Sequence, residues 1–319
     1  IIEAVYRYSS FQNVPLMLIA SRNQIDWDGG YVNNWKTPSY ISFLSLLKKQ
    51  YQNADILICR DHCGPLFESS KIKDVYKTID SDIENNFHLI HVDFSYYDVD
   101  YQKKLEESKK AIEYIHKCNS HTLIEVGTDR NTGENLKCVD EIREEFSYFN
   151  SISPIAFFVL QTGSLVKEIN QRGSFNGKYL RSIRSGILDK DLRIKEHNAD
   201  YLSKEQLRER NGLVNSMNIA PCLGILQTMT TIQRCNIHGV NFEDFLEESY
   251  RSKKWVKWLD KNNESNKFLC SIISGHYVFS SSQYKRVFDE LNKHEDFKEV
   301  LIEAITLQID HYIKNFDSL

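Results

Sequence analysis

The sequence predicts a (β/α)8 TIM barrel folded as a single domain, on three observations. Eight short apolar runs recur along the 319 residues, helical patterns fill the intervals, and nearly every run closes on a residue suited to metal or sugar chemistry. Strands of a parallel barrel are buried on both faces and read as continuous apolar stretches, while the loops at their C-terminal ends build the active site. The residues closing the runs are therefore the first functional candidates.

In order, the runs are Pro15–Ala20, Ala54–Cys59, His88–Asp93, Thr122–Thr128, Ile155–Gln161, Leu192–His197, Leu213–Ala220 and Phe268–Gly275. At their ends or just beyond stand Asn23, Asp61, His62, Asp93, Glu125, Gln161, His197, Asn218 and His276. Pro38–Gln50 carries Ile41, Leu44 and Leu47 at helical spacing, with Thr37 read as the cap and Pro38 as the first helical residue. Tyr101–Lys117 and Ser203–Arg210 are helical too, the second behind a Ser203 cap. This βαβα alternation argues for a parallel sheet with right-handed crossovers. Eight strands closing on themselves is the economical arrangement, and an open doubly wound sheet is the alternative. Two segments, 163–191 and 230–266, break the period and are read as insertions, since long loops on a barrel serve as lids, subunit contacts or substrate-binding elements.

Composition removes several classes of function. The chain has 40 basic and 44 acidic residues and a net charge of −4, which is no electrostatic footprint for nucleic acid. No run approaches the ~20 apolar residues of a membrane span, and the opening IIEAVYRYSSFQ is not a signal peptide. It also lacks an initiator Met, which leaves room for a preceding segment. Seven cysteines, an odd number without CxxC spacing, make no disulfide framework, so a reducing cytoplasm is expected. GxGxxG, Walker and GxSxG patterns are missing, so neither a dinucleotide site, a P-loop nor a serine-hydrolase elbow is expected.

The sharpest local motif is Arg60-Asp61-His62-Cys63-Gly64-Pro65, directly after the second run. Such a pair gives zinc an imidazole ligand, while the adjacent carboxylate takes or gives a proton at a group held by the metal. The competing structural reading pairs Asp61 with Arg60. His197 and His276 close the sixth and eighth runs, and with His62 they supply the three protein ligands of a catalytic zinc site. Glu125 is read as a lumen acid/base or zinc ligand, or else as a salt-bridge partner of a lumen cation such as Lys195; Asp129 competes for its role. His91 and the other histidines are taken as structural. Asn23, Gln24, Asp93, Gln161 and Asn218 are candidate substrate contacts. Lys167, Arg172, Lys178, Arg181 and Arg184 gather in the first insertion, with Arg181 and Arg184 expected to bind a phosphate at the barrel mouth.

These residues resemble a known family. SRNQIDWDGGY, CRDHCGP, HVDFSYYDVD, EVGTDRNTGE, FVLQTGS, EHNADYLS and NIAPCLGILQT match, in order over residues 15 to 280, motifs of the GatZ/KbaZ family, the tagatose-bisphosphate aldolase accessory-subunit group. The resemblance implies a TIM barrel related to class II, zinc-dependent ketose-bisphosphate aldolases. It implies Asp61 as proton donor or acceptor, His62 on zinc, and Glu125 at the family's acidic position. It also implies either an enzyme on a ketose or ketose phosphate, by aldol cleavage or retro-aldol epimerisation, or a non-catalytic accessory subunit; a second copy or an aldolase subunit would be the partner. Two departures are Ser21-Arg22 where the family has Thr-Ser, and Asp129 where it has Glu.

Overall fold

The computed structural model describes residues 1–65, 72–130, 132–134, 137–187, 192–260 and 263–317. Residues 188–191 and 261–262, the end of one predicted insertion and part of the other, lie outside them. Seven parallel strands form one sheet in chain order: β1 (Leu16–Ser21), β2 (Ile56–Cys63), β3 (Leu89–Val92), β4 (Leu123–Val126), β5 (Ile155–Leu160), β8 (Ile194–Glu196) and β9 (Ser216–Met217). The two-residue strands β6 (Val166–Lys167) and β7 (Asn170–Gln171) form a separate antiparallel hairpin. Seven of the eight runs thus contain sheet strands, with helices between them as the alternation predicts.

The eighth does not. Residues Lys267–Ser274 are an α-helix, followed by a 3-10 turn over Gly275–Val278, so among the described residues the sheet ends at β1 and β9 and the barrel is not closed. A short apolar run does not by itself separate strand from helix. Here Asn266 decides, its side chain accepting from the Leu269 amide as an N-cap. The helix Thr37–Gln50 begins one residue earlier than expected, with Lys36 rather than Thr37 at its cap. Tyr101–Cys118 is helical as read, and Ser203 caps Lys204–Arg208. No described helix is long and apolar enough to cross a membrane.

Side chains alternate between two environments along each strand. Ile90, Ile124, Phe158 and Ile194 face outward and pack on Ile112, Phe146 and Ile183 of the surrounding helices. The opposite face begins as an apolar plug of Met17, Leu57, Cys59, Leu89 and Phe157. Two residues further along β2 and β3, where the side chain returns to the same face, stand Asp61 and His91. Register places His91 beside Glu125 of β4. A polar layer therefore lies on an apolar floor.

Arg60 fixes β2 from its outer face, beside Ile90. It is fully buried, gives a hydrogen bond to each carboxylate oxygen of Asp82 at 2.7 Å, and donates to the carbonyls of Ala20 and Ile25. The partner of Arg60 is thus Asp82, not Asp61. The two insertions meet: the Glu168 amide donates to the Trp258 carbonyl at 2.7 Å, and Arg172 pairs with Asp260 at 3.2 Å.

Candidate metal centre

Consecutive residues of a strand point to opposite faces, yet His62 Nε2 comes within 3.6 Å of Asp61 Oδ2 and both residues lie in groups that contain His91. The backbone explains how. The register between β2 and β3 shifts between Arg60 and Cys63, and His62 has φ 47°, the left-handed region. Such a bulge re-aims a side chain and is common beside active sites. Gly64 follows because the chain runs against β3: a Cβ there would stand 1.5 Å from the Asp93 carbonyl oxygen.

The imidazoles of His62, His91 and His197 form a triangle with ring centroids 5.2 Å apart on every side. Around a tetrahedral zinc with bonds of about 2.0–2.1 Å, ring centres lie about 3.2 Å from the ion and hence about 5.2 Å from one another. Carboxylates surround the triangle. Asp61 Oδ1 lies 3.2 Å from His91 Nδ1 and its Oδ2 3.6 Å from His62 Nε2. Glu125 Oε1 lies 3.3 Å from His197 Nε2 and 3.7 Å from His91 Nδ1. Donor atoms of Asp61, His91, Glu125 and His197 all fall within 4.8 Å of one another, as do those of His62, His91 and Asp93. His91 Nδ1 is the nitrogen that faces Asp61 and Glu125, while its Nε2 is buried without a hydrogen-bond partner among the described residues.

The supporting groups orient these donors. Asp93 Oδ2 holds His62 Nδ1 at 2.5 Å while its Oδ1 accepts from the Ser95 amide, an outer-shell carboxylate of the kind that fixes a metal-binding imidazole. The Asn218 side-chain nitrogen lies 3.0 Å from His197 Nε2. Lys195 Nζ donates to Glu125 Oε2 at 2.6 Å, so the lumen salt bridge considered for Glu125 is present.

Charge states follow from these contacts. Burial opposes ionisation of Asp61, but His62, His91 and His197 hold its carboxyl well below the usual range. Burial likewise opposes ionisation of Glu125, which Lys195 and the two histidines bring down to about 2. Desolvation works against a charged His62, yet Asp61 and Asp93 raise it to about 9. His197 is lowered, chiefly by burial.

Of the residues that the sequence singles out, the structure brings Asp61, Glu125 and His197 into one donor group and His62 and Asp93 into another, with Asn218 against His197; His91, which joins the two groups, is not among them. The signal was available, because a histidine inside an apolar run two residues before Asp93 has the same cue that marked Glu125. His276 belongs to neither donor group among the described residues. It lies in the turn after the eighth run, packed between Tyr31 and Tyr277, its pKa lowered to about 3 by burial and by Lys257. Gln161 is buried just beyond β5. Gln24 Oε1 accepts from the Ser21 amide, and Asn23 lines a separate cavity of about 230 Å³ with Arg22, Asp26 and Trp27 that includes none of the histidines. Arg184 is not at the mouth. Its helix, Gly177–Gly186, runs back along the strands, and its guanidinium binds the Leu213 carbonyl and Asn215 at the start of β9. Arg181 is exposed on the same helix, and Arg172 is engaged by Asp260.

No protein-family model matches this chain, and no curated protein sequence matches it. Solved structures share its fold at low identity. A "probable tagatose 6 phosphate kinase" from Sinorhizobium meliloti 1021 superposes with a TM-score of 0.82 at 14% identity, covering 98% of this chain and 96% of that one. The fructose-bisphosphate aldolase of Campylobacter jejuni gives 0.58 at 14% identity over 91% of this chain and 86% of its own. The YdjI aldolase of Escherichia coli K12 gives 0.51 at 11% identity over 90% and 88%.

Proposed function

We propose that this chain is a zinc-dependent lyase or retro-aldol epimerase acting on a ketose or ketose phosphate. The observation that carries this reading is the pair of donor groups that share His91, one with Asp61, Glu125 and His197 and the other with His62 and Asp93, where the three imidazole rings stand 5.2 Å apart. The fold it shares with two aldolases is the second support, and two of the structural neighbours are named for ketose phosphates. Imidazole with carboxylate is a donor set that suits zinc. His62, His91 and His197 would hold the ion, with Glu125 beside them. When bound, zinc draws charge from a carbonyl at its open position.

The chain's own groups divide the remaining work. Asp61 has a side chain 14% exposed, against 5% for Asp93 and none for Glu125, so it is the carboxylate a substrate reaches. It takes a proton from, or returns one to, a substrate hydroxyl or carbon. Asp93 keeps His62 in one orientation, and Asn218 and Gln161 offer amide groups to sugar hydroxyls.

A second reading, a non-catalytic accessory subunit that associates with an aldolase, draws on Lys195, an internal cation already occupying Glu125. One experiment separates the two. Purified protein with zinc added or chelated is offered free and phosphorylated ketoses, with aldehyde release and epimer formation followed by NMR. Zinc-dependent turnover is expected, and Asp61→Asn should retain zinc while lowering kcat by about 10²–10⁴-fold. No turnover on any ketose with zinc bound would refute the enzyme reading, turnover unaffected by zinc removal would refute its zinc dependence, and an unchanged Asp61→Asn variant would refute the role of Asp61.

A further inference from the structure

Lys195 has no place in the ligand set, yet it lies inside it. Its side chain is 1% exposed, its Nζ lies 5.6 Å from the centre of the Phe157 ring on the apolar floor, and its ammonium meets Glu125 Oε2 at 2.6 Å. That contact divides the carboxylate. One oxygen is committed to Lys195, and Oε1 alone faces His91 and His197. With the imidazoles neutral, as metal ligands must be, the carboxylates of Asp61, Asp93 and Glu125 exceed this single ammonium by two negative charges, the number that one divalent ion balances.

We infer that Lys195 is a built-in counter-charge that holds the centre to one divalent ion and moderates its affinity; this rests on the metal reading above. An ammonium fixed in a poorly solvated lumen repels an incoming cation far more than a surface lysine does. It also denies the ion bidentate contact with Glu125. Removing the charge while keeping the bulk should therefore tighten metal binding, whereas a lysine that serves only to prop Glu125 would loosen the site when lost.

The test is zinc titration of the intact chain in competition with a chromogenic chelator, together with metal analysis of the dialysed protein. Wild type is expected to hold one zinc per chain. Lys195→Met is expected to bind zinc at least about tenfold more tightly, or to take up a second ion, and Lys195→Arg, which keeps the charge, to match wild type. If Lys195→Met does not fold, Lys195→Gln removes the charge while still donating to Glu125 and is expected to tighten binding likewise. Affinity and stoichiometry that are unchanged or reduced in a folded neutral variant overturn the inference and leave the metal reading intact. A wild-type protein that binds no zinc overturns both.

Discussion

Replacing His91 with alanine is expected to abolish stoichiometric zinc binding, although nothing about this residue stood out beyond its place in an apolar run. His91 lies within donor reach of both clusters, one with Asp61, Glu125 and His197 and the other with His62 and Asp93. Its removal therefore leaves neither group complete. Loss of an outer-shell partner lowers metal affinity by about 10–100-fold, and loss of a shared ligand should exceed that. Isothermal titration with zinc checks it, with far-UV circular dichroism to establish that the variant folds. A folded His91→Ala protein that still binds one zinc tightly would show that the ion does not use this triangle.

The second large effect is on stability. Arg60→Ala leaves Asp82 buried at 0% exposure without its two 2.7 Å hydrogen bonds, and leaves the carbonyls of Ala20 and Ile25 without their donor. Breaking a buried pair from one side costs about 3–5 kcal/mol, because a charge remains uncompensated. Since Arg60 immediately precedes Asp61 and His62 and ties β2 to its neighbours, the variant should lose zinc binding as well as stability. The paired Arg60→Met and Asp82→Leu replacement should recover most of the stability, since no buried charge is then left alone. Urea denaturation of wild type, single and double variants gives the comparison. A single variant within about 1 kcal/mol of wild type would mean that water reaches Asp82.

Much of this architecture is legible in the chain because apolar runs and helical intervals report burial directly. Seven runs contain sheet strands for that reason, and the strand-end rule reaches Asp61, His62, Asp93, Glu125, His197 and Asn218. The failures have physical causes. Phe268–Gly275 is short enough to fit either period, and only the Asn266 cap resolves it. As a strand, that run would carry His276 to the metal site; as a helix and turn, it packs His276 between Tyr31 and Tyr277. A mid-strand histidine reads as packing, which hides His91, although every second residue of a barrel strand faces the lumen. Arg184 looked like a mouth residue by sequence proximity to β5, but a helix that reverses direction takes its C-terminal turn to the opposite end of the strands.

The proposed site puts a divalent ion among three imidazoles at the ends of β2, β3 and β8. A crystal of the zinc-treated protein, with diffraction recorded on both sides of the zinc absorption edge, tests it most directly. One anomalous peak per chain is expected, about 2.0–2.1 Å from a ring nitrogen of each of His62, His91 and His197. An empty triangle at saturating zinc, or a peak bound elsewhere with these rings uncoordinated, would contradict it.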